Sequence, residues 1–123
     1  MPYLRFKGFS NEYLHSVAPR LIEEFAQLVQ IDKSMVKIET LLTEAISQVP
    51  LSLEILLFPR KQEVHDAVAA KFNEILRESG YEHVHIFFIL LSPYVYYKNG
   101  EPIAHRQADE DTEPAFKHKL ELS

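Results

Sequence analysis

Residues 2–7, Pro-Tyr-Leu-Arg-Phe-Lys, alternate in polarity: Leu4 and Phe6 fall on one side, Tyr3, Arg5 and Lys7 on the other. A period of two predicts a half-buried β-strand. The period then lengthens. Leu14, Val17, Leu21, Phe25 and Leu28 recur at steps of three and four, which predicts an amphipathic helix ending near Gln30, with Ser10 as N-cap after Gly8. Pro19 lies inside that pattern, so the helix is expected either to start near Ser16 or to kink. After a short loop at Asp32–Ser34, Met35–Leu42 returns to alternation, with Val36 and Ile38 opposite Lys37 and Glu39.

Pro50 interrupts the chain and the same order begins again. Leu51, Leu53, Ile55 and Leu57 line one face of a strand opposite Ser52 and Glu54, and Pro59 ends it. A helix is predicted over 60–79 with Val64, Val68, Phe72, Ile75 and Leu76 as its apolar stripe and Gly80 as its C′ residue. His83–Leu91 contains the unbroken apolar run Ile86–Leu91, which predicts a central strand buried on both faces. Asn99-Gly100 between the β-prone runs of 94–103 predicts a hairpin. Strand starts at Pro2 and Leu51 lie 49 residues apart, as do those at Met35 and Val84. The chain therefore reads as an α/β fold: two β-α-β units in one four-stranded mixed sheet, both helices on one face, and a C-terminal β-hairpin. Residues 1–103 form the predicted domain, and 104–123 read as a polar, acidic, loose tail.

Composition narrows the function. At 123 residues and 46% hydrophobic, the chain can bury a core without staples. It has no Cys, which excludes thiolate chemistry and disulfides. Thirteen Lys and Arg stand against eighteen Asp and Glu, a net charge of −5, which argues against nucleic acid as a partner. No apolar run is long enough to span a membrane and no signal peptide is visible, so a cytoplasmic protein is expected. P-loop, dinucleotide and G-x-S-x-G patterns are absent from the sequence.

The opening Met-Pro on a strand followed by two β-α-β units resembles the tautomerase superfamily, which includes 4-oxalocrotonate tautomerase and macrophage migration inhibitory factor. More closely, Met-Pro-Tyr-Leu-Arg-Phe-Lys, Ile-Leu-Leu-Phe-Pro-Arg and the pair Tyr96-Tyr97 before the hairpin turn resemble a bacterial family, domain of unknown function 1904. The resemblance covers about residues 1–103. It implies a macrophage-migration-inhibitory-factor-like fold and a homotrimer. It also implies a cofactor-free keto–enol tautomerase acting on a small carbonyl or carboxylate ligand, with an N-terminal proline amine as general base. With Met1 removed, Pro2 would carry that amine, whose reference pKa of about 7.7–8.0 suits proton abstraction near neutrality.

Lys37, in Val-Lys-Ile, stands where the 4-oxalocrotonate group carries a catalytic arginine, and is expected to stabilise enolate charge. An ion pair with Glu39 or Glu54 is its alternative reading. That group also has an arginine in the loop after the first strand. Here Gly8-Phe9-Ser10-Asn11 has none, which leaves Arg5 as the nearest substitute. Tyr96 and Tyr97 are the candidate substrate-orienting hydroxyls, with subunit packing as the alternative for the hairpin tyrosines, Tyr94 included. Arg5, Lys37, Glu39, Glu54 and His85 share the sheet face away from the helices, where they would line the inside of a trimeric barrel. His83 and His85, two apart, have the spacing of a metal pair but no evident third ligand, and no metal is predicted. A second reading keeps the trimer and drops the chemistry, leaving a non-catalytic module for binding a small molecule or another protein.

Overall fold

The computed structural model describes residues 2–104. The chain runs β1 (Tyr3–Lys7), α1 (Asn11–Val29), β2 (Lys37–Thr40), β3 (Ser52–Leu57), α2 (Gln62–Glu78), β4 (His85–Leu90), β5 (Tyr97–Lys98) and β6 (Glu101–Pro102). The first four strands form one sheet in the order β2-β1-β3-β4, and β5-β6 is a separate hairpin. Within each half the strands are parallel; the halves join through the antiparallel β1–β3 ladder, Tyr3 opposite Leu56 and Lys7 opposite Ser52. The predicted doubled β-α-β architecture is the observed one. The predicted tail from 105 onward lies outside the described residues. Among the described residues no helix is long and apolar enough to cross a membrane.

The core follows from the two periodicities. Leu4, Phe6, Leu53, Ile55 and Leu57 meet Leu14, Val17, Leu21, Phe25 and Val29 of α1 and Val68, Phe72, Ile75 and Leu76 of α2, all buried. Phe25 and Phe72 stack across the helix pair with ring centroids 5.8 Å apart. Helix α1 begins at Asn11, where the Ser10 hydroxyl accepts the Tyr13 N–H at 3.1 Å, and runs through Pro19 without restarting. Pro19 is tolerated because it sits on the exposed side, where water can serve the carbonyl left without a donor. At the other end of the loop, Gly8 has φ +94, and a Cβ there would lie 2.5 Å from Leu51 Cδ2. Only glycine fits this turn.

Three expectations need correction. Residues 33–35 form a single 3-10 turn, capped by the Asp32 carboxylate accepting the Ser34 N–H at 2.8 Å, so β2 starts at Lys37 and not at Met35. The strand predicted as central and buried on both faces is instead the sheet edge, β4, with Phe87, Ile89 and Leu90 exposed. Its apolar character reflects surface that a single chain leaves uncovered, not a central position. His83 has φ +61 and precedes β4, so His83 and His85 do not share a strand face. The hairpin turn is as predicted: Asn99 and Gly100 both take positive φ, 55° and 80°, as a type I′ turn requires.

Candidate active site

The site is built where four segments end together. Because β1 and β3 are antiparallel, the Pro2 end of β1 meets the C-terminal end of β3, where the chain leaves through Phe58-Pro59-Arg60 into α2. Strand β4, parallel to β3, finishes at the same level, with the Leu91 N–H donating to the Leu57 carbonyl at 2.9 Å. Pro2 is buried and its carbonyl accepts the Lys37 N–H at 3.0 Å. Between the start of α2 and the end of β4 lies a cavity of about 430 Å3, lined by Pro59, Arg60, Gln62, His65, Leu90, Leu91 and Ser92.

Arg60 gives this cavity its charge. The guanidinium is partly buried and folds back so that Nη1 donates to the carbonyls of Phe58 at 2.8 Å and Pro59 at 3.3 Å. It has no carboxylate partner among the described residues, and burial holds its pKa below the ordinary arginine value. A cation taken from water without a counter-ion is costly, and an anion entering the cavity would offset that cost. Beside it His65 is 8% exposed, its ring stacked on Phe88 with centroids 4.7 Å apart. The Arg60 backbone N–H donates to His65 Nε2 at 3.1 Å, which assigns the imidazole proton to Nδ1. Burial first, and the Arg60 charge second, push the His65 pKa down, so the ring is neutral. Lys61, the N-cap of α2, makes no side-chain capping bond.

A second cluster links the sheet to the hairpin. The Tyr96 side chain faces that of Tyr3, whose influence is the main cause raising the Tyr96 pKa above the ordinary phenol value, with burial second. The Tyr96 ring stands edge-on to Phe58 at 5.6 Å, while the Arg5 guanidinium lies 5.6 Å from the Tyr3 ring centroid. Arg5 Nε also donates to Glu39 Oε2 at 2.5 Å.

The structure thus brings Pro2 and Tyr96 to one end of the sheet and treats the other sequence candidates differently. Arg5 is engaged by Glu39 and Tyr3. Lys37 adjoins Pro2 through its backbone, but its exposed side chain donates to the Ser34 carbonyl at 3.2 Å rather than to Glu39 or Glu54. Glu54 pairs with Lys7 at 3.2 Å. Tyr97 is 59% exposed on β5, and the Tyr94 N–H donates to Ser92 Oγ at 3.2 Å. No three His, Asp or Glu side chains cluster as a metal site among the described residues.

Sequence reading missed Arg60, His65 and Tyr3. The signal for Arg60 was the repeat itself. The loop after β1 lacks a cation, but the equivalent loop after β3 carries Arg60, and antiparallel pairing sets the end of β3, where that loop leaves, level with the Pro2 end of β1.

The family described as domain of unknown function (DUF1904) matches residues 1–102. The chain belongs to this family. A solved DUF1904 domain from Sebaldella termitidis shares 24% identity at a TM-score of 0.76, covering 83% of this chain and 99% of that one. The macrophage migration inhibitory factor-like protein of Entamoeba histolytica aligns at 0.64 with 6% identity, over 82% and 97% of the two chains. A fused 4-OT, itself a symmetric trimer, aligns at 0.69 with 14% identity, over 84% and 99%. These likenesses establish the macrophage migration inhibitory factor/tautomerase fold for this DUF1904 chain. No curated protein matches it.

Proposed function

We propose that this chain is a cofactor-free tautomerase, acting on a small carbonyl compound that carries a carboxylate. The observation that carries the reading is the partly buried Arg60, without a carboxylate partner among the described residues, in a cavity at the end of β3 that lies level with the Pro2 end of β1. Arg60 holds the substrate carboxylate, with its remaining N–H groups suited to a two-point contact. With Met1 removed, the Pro2 amine is the base. In ketonisation it accepts the enol hydroxyl proton, the carbon–carbon π electrons take up a proton delivered by the ammonium, and the free amine returns. Burial at this position favours the unprotonated amine. Tyr96 orients the carbonyl oxygen. Lys37 and Arg5 contribute positive potential from neighbouring strands rather than direct carboxylate contact.

A homotrimer fits the open edge of β4 and its exposed Phe87, Ile89 and Leu90, and the trimer of the fused 4-OT supports it. One observation favours a non-catalytic small-molecule-binding module instead: Arg5 and Lys37 are both already engaged within the chain. The test is ketonisation of an aryl enolpyruvate by protein whose mass shows a free Pro2. Turnover above buffer is expected, lost when an uncleaved residue precedes Pro2, with KM about a hundredfold higher in Arg60→Ala. Binding of the same compound without turnover would leave the module reading.

A further inference from the structure

Helices normally satisfy their first N–H groups with a cap side chain, as Ser10 does for α1. At α2 the direction is reversed. The His65 imidazole, inside the helix, reaches back five residues and accepts the N–H of Arg60. The loop it grips has few other ties: Pro59 has no N–H, and the Arg60 guanidinium bonds only the two carbonyls just before it among the described residues. The imidazole itself is fixed by its stack on Phe88, in β4. A continuous set of contacts therefore runs from the β4 strand through the imidazole to the backbone that carries the cavity's cation.

We propose that His65 is the positioning residue of this site, holding the Arg60 backbone so that its guanidinium is preorganised for a carboxylate. This rests on the reading of Arg60 as the carboxylate-binding group. The bond requires an unprotonated Nε2, because a ring protonated there has no lone pair to accept the N–H. The charged groups near the ring are Arg60 from the loop and Asp66 from α2, the latter already accepting from Gln62 Nε2 at 2.9 Å. On the β4 side the neighbours are uncharged: Phe88 against the ring, and Leu90, Leu91 and Ser92 around the cavity.

The test uses the full chain, phenylpyruvate as the carboxylate probe, and two variants. His65→Phe keeps a ring to stack on Phe88 but removes the acceptor. His65→Gln places an amide oxygen at about the reach of Nε2. Phenylpyruvate affinity is expected to fall about threefold to tenfold in His65→Phe, the span of one net hydrogen bond. His65→Gln is expected to recover to within about twofold of the parent. The Arg60 amide should exchange with solvent faster in His65→Phe than in the parent or His65→Gln. Equal binding by parent and His65→Phe, or equal loss in both variants, would overturn the proposal. Should the parent bind no phenylpyruvate, the carboxylate reading of Arg60 fails, and amide exchange alone decides whether His65 holds the loop. Nitrogen NMR of the parent gives a check free of any variant: a proton found on Nε2 refutes the assignment.

Discussion

The two β-α-β halves use the same elements for opposite ends. In the first, α1 starts behind a side-chain cap, and the corresponding space between its N-terminus and β2 is about 250 Å3, lined by Asn11, Leu14, His15, Ala18, Ile38, Glu39 and Thr40. Its charged member, Glu39, is spent on Arg5. In the second, α2 starts without a cap, the space is about 430 Å3, and its cation has no carboxylate to pair with among the described residues. On the proposed function, the first copy of the repeat spends its charge within the chain and the second keeps a cation for a ligand.

The largest test of this contrast lies where the halves should be alike. Phe25 and Phe72 are both fully buried and stack on each other, so Phe25→Ala and Phe72→Ala should each cost about 3–5 kcal/mol in denaturant unfolding. A cost confined to one helix would break the symmetry of the core. The helix starts should then respond in opposite directions. Ser10→Ala should cost about 1 kcal/mol, whereas Lys61→Ser, which supplies a missing cap, should gain a comparable or smaller amount. Equal losses in both would show that α2 is already satisfied by other means.

The smallest effect concerns pH and only the second half. Burial and Arg60 lower the His65 pKa, so on acidification the unfolded chain takes up that proton before the folded one does. The contribution of His65 to stability is complete above about pH 6.5 and declines as pH falls through the folded-state value. Melting temperatures followed from pH 7.5 to 4.5 should therefore slope less steeply in His65→Gln than in the parent.

Most of the fold was legible because its two periods are clean. Leu4 and Phe6 on β1, and the stripe from Val64 to Leu76 on α2, announce their elements without help. The edge position of β4 was not legible, since Ile86–Leu91 looks the same whether covered by this chain or by another copy. Pro2 and Tyr96 could be singled out from the sequence. That Arg60 follows a strand end level with Pro2 could not be read from local pattern, because it depends on the sign of the β1–β3 pairing, a relation between residues about fifty positions apart. His65 was hidden for another reason: the capping box reaches back from the third helical residue to the N-cap, whereas His65, the fourth, reaches the residue before the N-cap.

The β1–β3 ladder also bears on how the chain folds. It is the seam between halves, and every pair along it joins residues far apart in sequence, from Tyr3 with Leu56 to Lys7 with Ser52. Neither half can finish its sheet before the other arrives. A nascent chain that has emerged only as far as Pro50 holds β1 with one side unpaired and a lone helix above it, an open template for stray strands. Closing a loop this long must be paid in entropy before the contacts reward it, so folding should be slow for a protein of this size and all-or-none. Gly8 and Leu51, at the end of that seam, are nearer in sequence than any pair along it, so loop closure favours their meeting first.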